Sequence, residues 1–148
     1  MNVKQILTSI KKYPCQWIIW TGGEPTLQLT DEVLLFFKQQ GYRQAIESNG
    51  HQKLSDLLDY TVVSPKGINP LYAKEINYQV DEVRLPVTKN DKIPPVESLP
   101  LANYYFLSPI FTHDKRSTHA NIRYCVKYIQ KHPEWRLSVQ MHKLIGIP

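Results

Sequence analysis

Thr21-Gly22-Gly23-Glu24-Pro25 is the richest concentration of residues with chemical potential in this chain. Adjacent glycines remove side-chain bulk and let backbone amides and carbonyls approach a ligand closely. Glu24 can accept from a ligand ammonium group or brace the loop, and Pro25 fixes the exit; an ordinary strand-to-helix turn also uses Gly-Gly. Glu47-Ser48-Asn49-Gly50 carries a carboxylate and an amide. These can pair with ribose hydroxyls or amino groups of a nucleoside, or form an Asx turn beside a solvated glutamate. Lys66, in Ser64-Pro65-Lys66, can hold a carboxylate or lie over an adenine ring, or be solvated. Ser108-Pro109 and Gln140-Met141-His142-Lys143 are further polar segments of the same kind.

Other reactive residue types are less pointed. Arg84 reads as a solvent-facing residue on the polar side of a strand, with an anion clamp as the alternative. His113, His119 and His142 have no His-x-x-x-His or Cys-x-x-Cys partner, which favours surface or hydrogen-bonded roles over metal ligation. Cys15 and Cys125 are too far apart in sequence for a close-spaced metal motif, so both are expected to be reduced and structural. Tyr104 and Tyr105 pack the core and rim or stack on a flat heterocycle. A hydrolase or transferase would need a Gly-x-Ser-x-Gly elbow or a phosphate loop, and neither occurs.

These segments need elements to position them, and the hydrophobic pattern supplies a series. Val3, Ile6, Leu7 and Ile10 recur at helical spacing before Pro14. Trp17-Ile18-Ile19-Trp20 is a wholly apolar run that predicts a core strand buried on both faces. Thr30, Asp31 and Glu32 open a helix that stops at Gly41. Strands are then predicted near 43–47, 60–63, 82–87, 103–107 and 136–140. Helices are predicted at 54–58, 71–78 and 117–131, the last with Ile122, Val126 and Ile129 inward. Residues 90–100 hold three prolines and read as a loop. The alternation predicts βα units around a parallel sheet, with each polar segment at the carboxyl end of a strand.

At 148 residues and 42% hydrophobic content the chain is expected to form one domain, 1–148. A net charge of +5 suits an anionic ligand, and the basic residues, Lys11-Lys12 and Lys115-Arg116 among them, form no stripe of the kind that reads nucleic acid. With no apolar run of membrane-spanning length and no signal core, a soluble cytoplasmic protein without nucleic-acid or membrane partners is expected.

Trp20-Thr21-Gly22-Gly23-Glu24-Pro25, followed by Leu27-Gln28, resembles the Gly-Gly-Glu-Pro strand end of radical S-adenosylmethionine enzymes, and Glu47-Ser48-Asn49-Gly50 resembles their Glu-Thr-Asn-Gly turn. Val63-Ser64-Pro65-Lys66, Phe106-Leu107-Ser108-Pro109 and the ending from Arg136 to Pro148 are similar to the 7-carboxy-7-deazaguanine synthase family in particular. The resemblance implies a partial (β/α) barrel and a radical lyase of queuosine and 7-deazapurine biosynthesis. Such an enzyme contracts the ring of 6-carboxy-5,6,7,8-tetrahydropterin, using S-adenosylmethionine, a 4Fe–4S cluster and magnesium, and it acts as a homodimer.

Carried over by the motifs, Gly22, Gly23, Glu24, Glu47 and Asn49 surround S-adenosylmethionine, with Ser64, Pro65 and Lys66 at its nucleoside. Ser108 and Pro109 lie beside the cofactor where the family has Gln-Pro, while Thr21 and the terminal carboxylate of Pro148 meet the pterin substrate. The family's first strand, its Cys-x-x-x-Cys-x-x-Cys loop and the magnesium-binding threonine belong ahead of the opening helix, and this sequence has none of them there. The expectation is therefore a barrel truncated at its N-terminal strand, an incomplete gene product or half of a split enzyme, inactive alone and possessing an edge for a missing partner segment. A non-catalytic nucleoside- or pterin-binding module that has lost its cluster is the other reading.

Overall fold

The computed structural model describes residues 2–66 and 78–147. The predicted helix at 71–78 falls, but for its last residue, outside the described residues, as does Pro148.

The first helix, α1 (Val3–Ile10), starts with a reciprocal cap: the Asn2 side chain accepts from the Gln5 amide, and the Gln5 side chain accepts from the Asn2 amide. Next come β1 (Trp17–Trp20), a 3-10 turn (Pro25–Leu27), α2 (Asp31–Gln39), β2 (Arg43–Ser48) and β3 (Tyr60–Val63). Then follow β4 (Val80–Val87), a second 3-10 turn (Val96–Ser98), β5 (Ala102–Pro109), α3 (Lys115–Ile129), β6 (Trp135–Leu137) and α4 (Met141–Ile145). The described strands form one six-stranded sheet in the order β1-β2-β3-β4-β5-β6, and every adjacent pair is parallel. Each strand therefore ends on the same rim, which is the arrangement that the alternating pattern predicted.

One face of the sheet is packed. Ile46, Val63, Val80 and Val83 join Leu54 in one apolar cluster, and Leu85, Val87, Leu107 and Trp135 join Ile93 and Cys125 in another. From α2, Leu34 and Phe37 descend onto this face, where Phe37 meets Trp20 edge to face at 5.5 Å. The buried Gln44 secures the joint: its Nε2 donates to the Leu34 carbonyl at 2.8 Å, and its Oε1 accepts from Trp20 Nε1 at 3.1 Å. Burial pushes the Cys125 thiol up to about 11, so it sits in the core as a neutral, inert group.

The opposite face carries Trp17, Ile19, Ala45, Glu47, Tyr60, Val62 and Arg84, which line an open cleft of about 240 Å³. This face corrects the expectation for β1. Trp17–Trp20 is an edge strand whose alternate residues Trp17 and Ile19 are exposed, Ile19 to 60%. A wholly apolar run does not distinguish a strand buried on both faces from one whose second face lines a cleft.

Three further expectations change. Residues 54–58 form a turn rather than a helix, held by bonds from the Leu58 amide to the Ser55 carbonyl and from the Leu57 amide to Ser55 Oγ. In α3 the buried side is Thr118, Asn121 and Cys125, with Ile129 packed against the core as expected but Val126 exposed, because the polar pair answers backbone groups of neighbouring loops. The last strand begins at Trp135 and ends at Leu137, and the Gln140 segment opens α4 instead of closing a strand.

Candidate functional site

Glu24 organises the rim. Its Oε1 accepts from Thr26 Oγ1 at 2.7 Å, from Ser48 Oγ at 2.8 Å and from the Thr26 amide at 3.3 Å, while Oε2 accepts from the Asn49 amide at 2.8 Å. One carboxylate thereby stitches the loop after β1 to the turn after β2. Partial burial raises the pKa of this carboxyl, but the bonds from Asn49, Thr26 and Ser48 together outweigh it and hold the group below its usual value. Of the two roles open to Glu24, the structure displays bracing.

Gly22 and Gly23 have φ of +85° and +55°, left-handed conformations that an L side chain adopts only with strain. An added Cβ at either would meet no atom within 4 Å, so the backbone here borders open space rather than packed protein. The next strand end is joined on by a bond from the Ser64 amide to the Ser48 carbonyl at 2.8 Å. Pro65 is buried beside it and Lys66 is exposed. Asn49 Oδ1 accepts from the His51 amide at 2.8 Å, the Asx turn that the residue type allowed.

Glu47 and Arg84 depart from the solvated roles read for them. Arg84 Nη1 donates to Glu47 Oε1 at 2.7 Å, and Nε donates to Glu82 Oε2 at 2.7 Å. Tyr60 donates its hydroxyl to Glu82 Oε1 at 2.6 Å. Burial, followed by the Glu82 carboxylate, pushes the Tyr60 hydroxyl far above the usual phenol range, so it remains a donor. Sequence reasoning missed Tyr60 and Glu82. Only the register, which aligns Glu47 with Val62 and Val62 with Glu82, shows that they share a face.

Glu24, Ser48, Asn49 and Ser64 are thus brought into direct contact, with Glu47 on the cleft side of the same strand end. Ser108 and Pro109 close β5 on the same rim, in register with Pro86 and Val87 of β4. Thr21 and Gly22 border a second cleft of about 260 Å³ on the α1 side, with Val3, Ile6 and Trp20. Among the described residues no group of three or more His, Cys, Asp or Glu is placed to hold a metal ion. Cys15 is exposed and Cys125 lies in the core, so the residues present do not fit an iron–sulfur cluster.

A sequentially ordered parallel sheet with helices packed on one face and a polar rim at the strand ends is a partial (β/α) barrel. The crystal structure of QueE from Escherichia coli has this fold, superimposing with a TM-score of 0.63 over 95% of this chain and 64% of that one at 19% identity. No protein-family model matches the sequence.

Individual relatives do match. The chain is 35% identical to the 7-carboxy-7-deazaguanine synthase of Bordetella pertussis, over 90% of this chain and 60% of the relative. It is 34% identical to that of Bacteroides thetaiotaomicron, over 99% and 74%, and 36% identical to that of Haemophilus influenzae, over 99% and 72%. The chain belongs to the 7-carboxy-7-deazaguanine synthase family, and it spans between 60% and 74% of the length of these relatives.

Proposed function

We propose that residues 1–148 form one radical-S-adenosylmethionine-like domain that supplies the nucleoside-binding and substrate-binding part of a 7-carboxy-7-deazaguanine synthase. The observation that carries this reading is the Glu24 bridge, which fixes the Gly22-Gly23 backbone and the Ser48-Asn49 turn as one unit bordering open space. Backbone amides and carbonyls freed of side chains can meet the polar methionyl end of S-adenosylmethionine there. Glu47 and Asn49 would take hydroxyl or amino donors, and Ser64, Pro65 and Lys66 would border the nucleoside. Ser108 and Pro109 would complete that side, Ser108 with a shorter reach than the family's glutamine. Thr21 and Pro148 would contact the carboxylated pterin.

In this reading S-adenosylmethionine supplies the radical chemistry in the whole enzyme, and this chain's residues bind and orient it. The described residues do not fit the cluster, so turnover by this chain alone is not expected. A cytoplasmic setting and homodimeric assembly belong to the same proposal. Among the described residues no helix is long and apolar enough to cross a membrane.

Calorimetric titration of the chain with S-adenosylmethionine tests the proposal. Weak, saturable binding that is lost in Glu24→Ala is the expected result. Absence of binding, or binding indifferent to Glu24, would overturn it.

A further inference from the structure

Arg84 and Glu47 stand on strands separated by β3, 37 residues apart in sequence, yet they meet at 2.7 Å. The route between them is specific. Glu47, Val62 and Glu82 occupy one register row across β2, β3 and β4, so two carboxylates flank a small apolar side chain. Arg84 lies two residues beyond Glu82 on β4, and its guanidinium bonds both carboxylates, Nε to Glu82 and Nη1 to Glu47. Tyr60 donates to the remaining oxygen of Glu82, so that carboxylate has a donor on each oxygen and anchors the arginine.

Glu47 is different. Its Oε1 is committed to Arg84, while among the described residues its Oε2 has no hydrogen-bond donor. The residue lines the cleft with Trp17, Ile19, Ala45 and Val62, of which only Trp17 carries a side-chain donor, and Trp17 stands at the opposite, amino end of its strand. An unclamped glutamate at this place would sample several rotamers, and ordering it would cost affinity each time a ligand bound. A guanidinium forked between two carboxylates removes that freedom in advance, which an ammonium on a flexible stem does less well.

We propose that Arg84 is a positioning residue for the strand-end ligand site: anchored by Glu82 and Tyr60, it holds Glu47 in one orientation with a carboxylate oxygen presented to an N–H or O–H donor of the bound ligand. The proposal rests on the reading of Glu47 as a ligand contact and adds the residues that act through it.

The test pairs a binding cycle with a ligand-free measurement. S-Adenosylmethionine is titrated into the wild-type chain, Arg84→Ala, Glu47→Ala and the double variant, each checked for an unchanged circular dichroism spectrum. Arg84→Ala should weaken binding by about tenfold, and the double variant should bind no more weakly than Glu47→Ala. Equal affinity in Arg84→Ala, or losses that multiply in the double variant, would overturn the role. In the ligand-free chain the 13C carboxyl resonance of Glu47, assigned through Glu47→Gln, should move or broaden in Arg84→Ala, and an unchanged line would refute the clamp. If wild type fails to bind S-adenosylmethionine, the functional reading falls and the carboxyl resonance alone decides the clamp. Should Arg84→Ala not fold, Arg84→Lys takes its place in both measurements, with a smaller shift expected in the same direction.

Discussion

Glu24 receives four hydrogen bonds from three residues: Thr26 in the 3-10 turn, Ser48 at the end of β2 and Asn49 just beyond it. Glu24→Gln replaces one acceptor oxygen with a donor facing donors. That should cost about 2 kcal/mol at neutral pH, seen as a lowered midpoint in urea. The carboxyl is depressed in the folded chain, so its stabilisation is present above the ordinary carboxylate range and disappears as pH falls through the folded value. The wild-type and Glu24→Gln chains should therefore differ near neutrality and converge in acid. A difference that persisted unchanged below about pH 3 would rule out the charged bridge as its source.

Elements are held by buried amides as well as by apolar contact. Asn121 on α3 accepts from the Lys89 amide at 2.9 Å and donates to the Ile110 carbonyl at 2.8 Å, tying the loops after β4 and β5 to one helix. Asn121→Ala should lower stability by about 2 kcal/mol, with hydrogen exchange at Lys89 accelerated before that of the β2 and β3 amides. A melt equal to wild type would contradict that role.

The same residue explains a limit of sequence reasoning. Apolar periodicity turned α3 toward Ile122, Val126 and Ile129, and Ile129 does meet the core, but unsatisfied loop groups also recruit Thr118 and Asn121 inward, a demand that no hydrophobic pattern records. The strands and their parallel pairing were legible because runs such as Tyr60–Val63 and Arg43–Ser48 end at turn residues. Glu24, Asn49 and Ser64 were legible as residues of the rim because each follows a strand. The Tyr60-Glu82-Arg84-Glu47 chain was not, since it depends on register across β2, β3 and β4.

Across the whole molecule, the face bearing the cleft leaves Trp17 and Ile19 exposed along β1, at the margin of the sheet. An apolar edge strand with free backbone groups favours association. The chain should sediment as a concentration-dependent mixture, and Ile19→Lys should shift it toward monomer. Identical sedimentation of both proteins would exclude β1 as the contact.

Sequential strand order has a quieter consequence. Every described ladder joins chain neighbours, so a rung gained or lost at either margin disturbs one pairing and leaves the interior ladders as they were. Such an architecture is extensible at its margins, whereas its middle, where Glu47, Glu82 and Arg84 interlock, tolerates no slippage by a single residue.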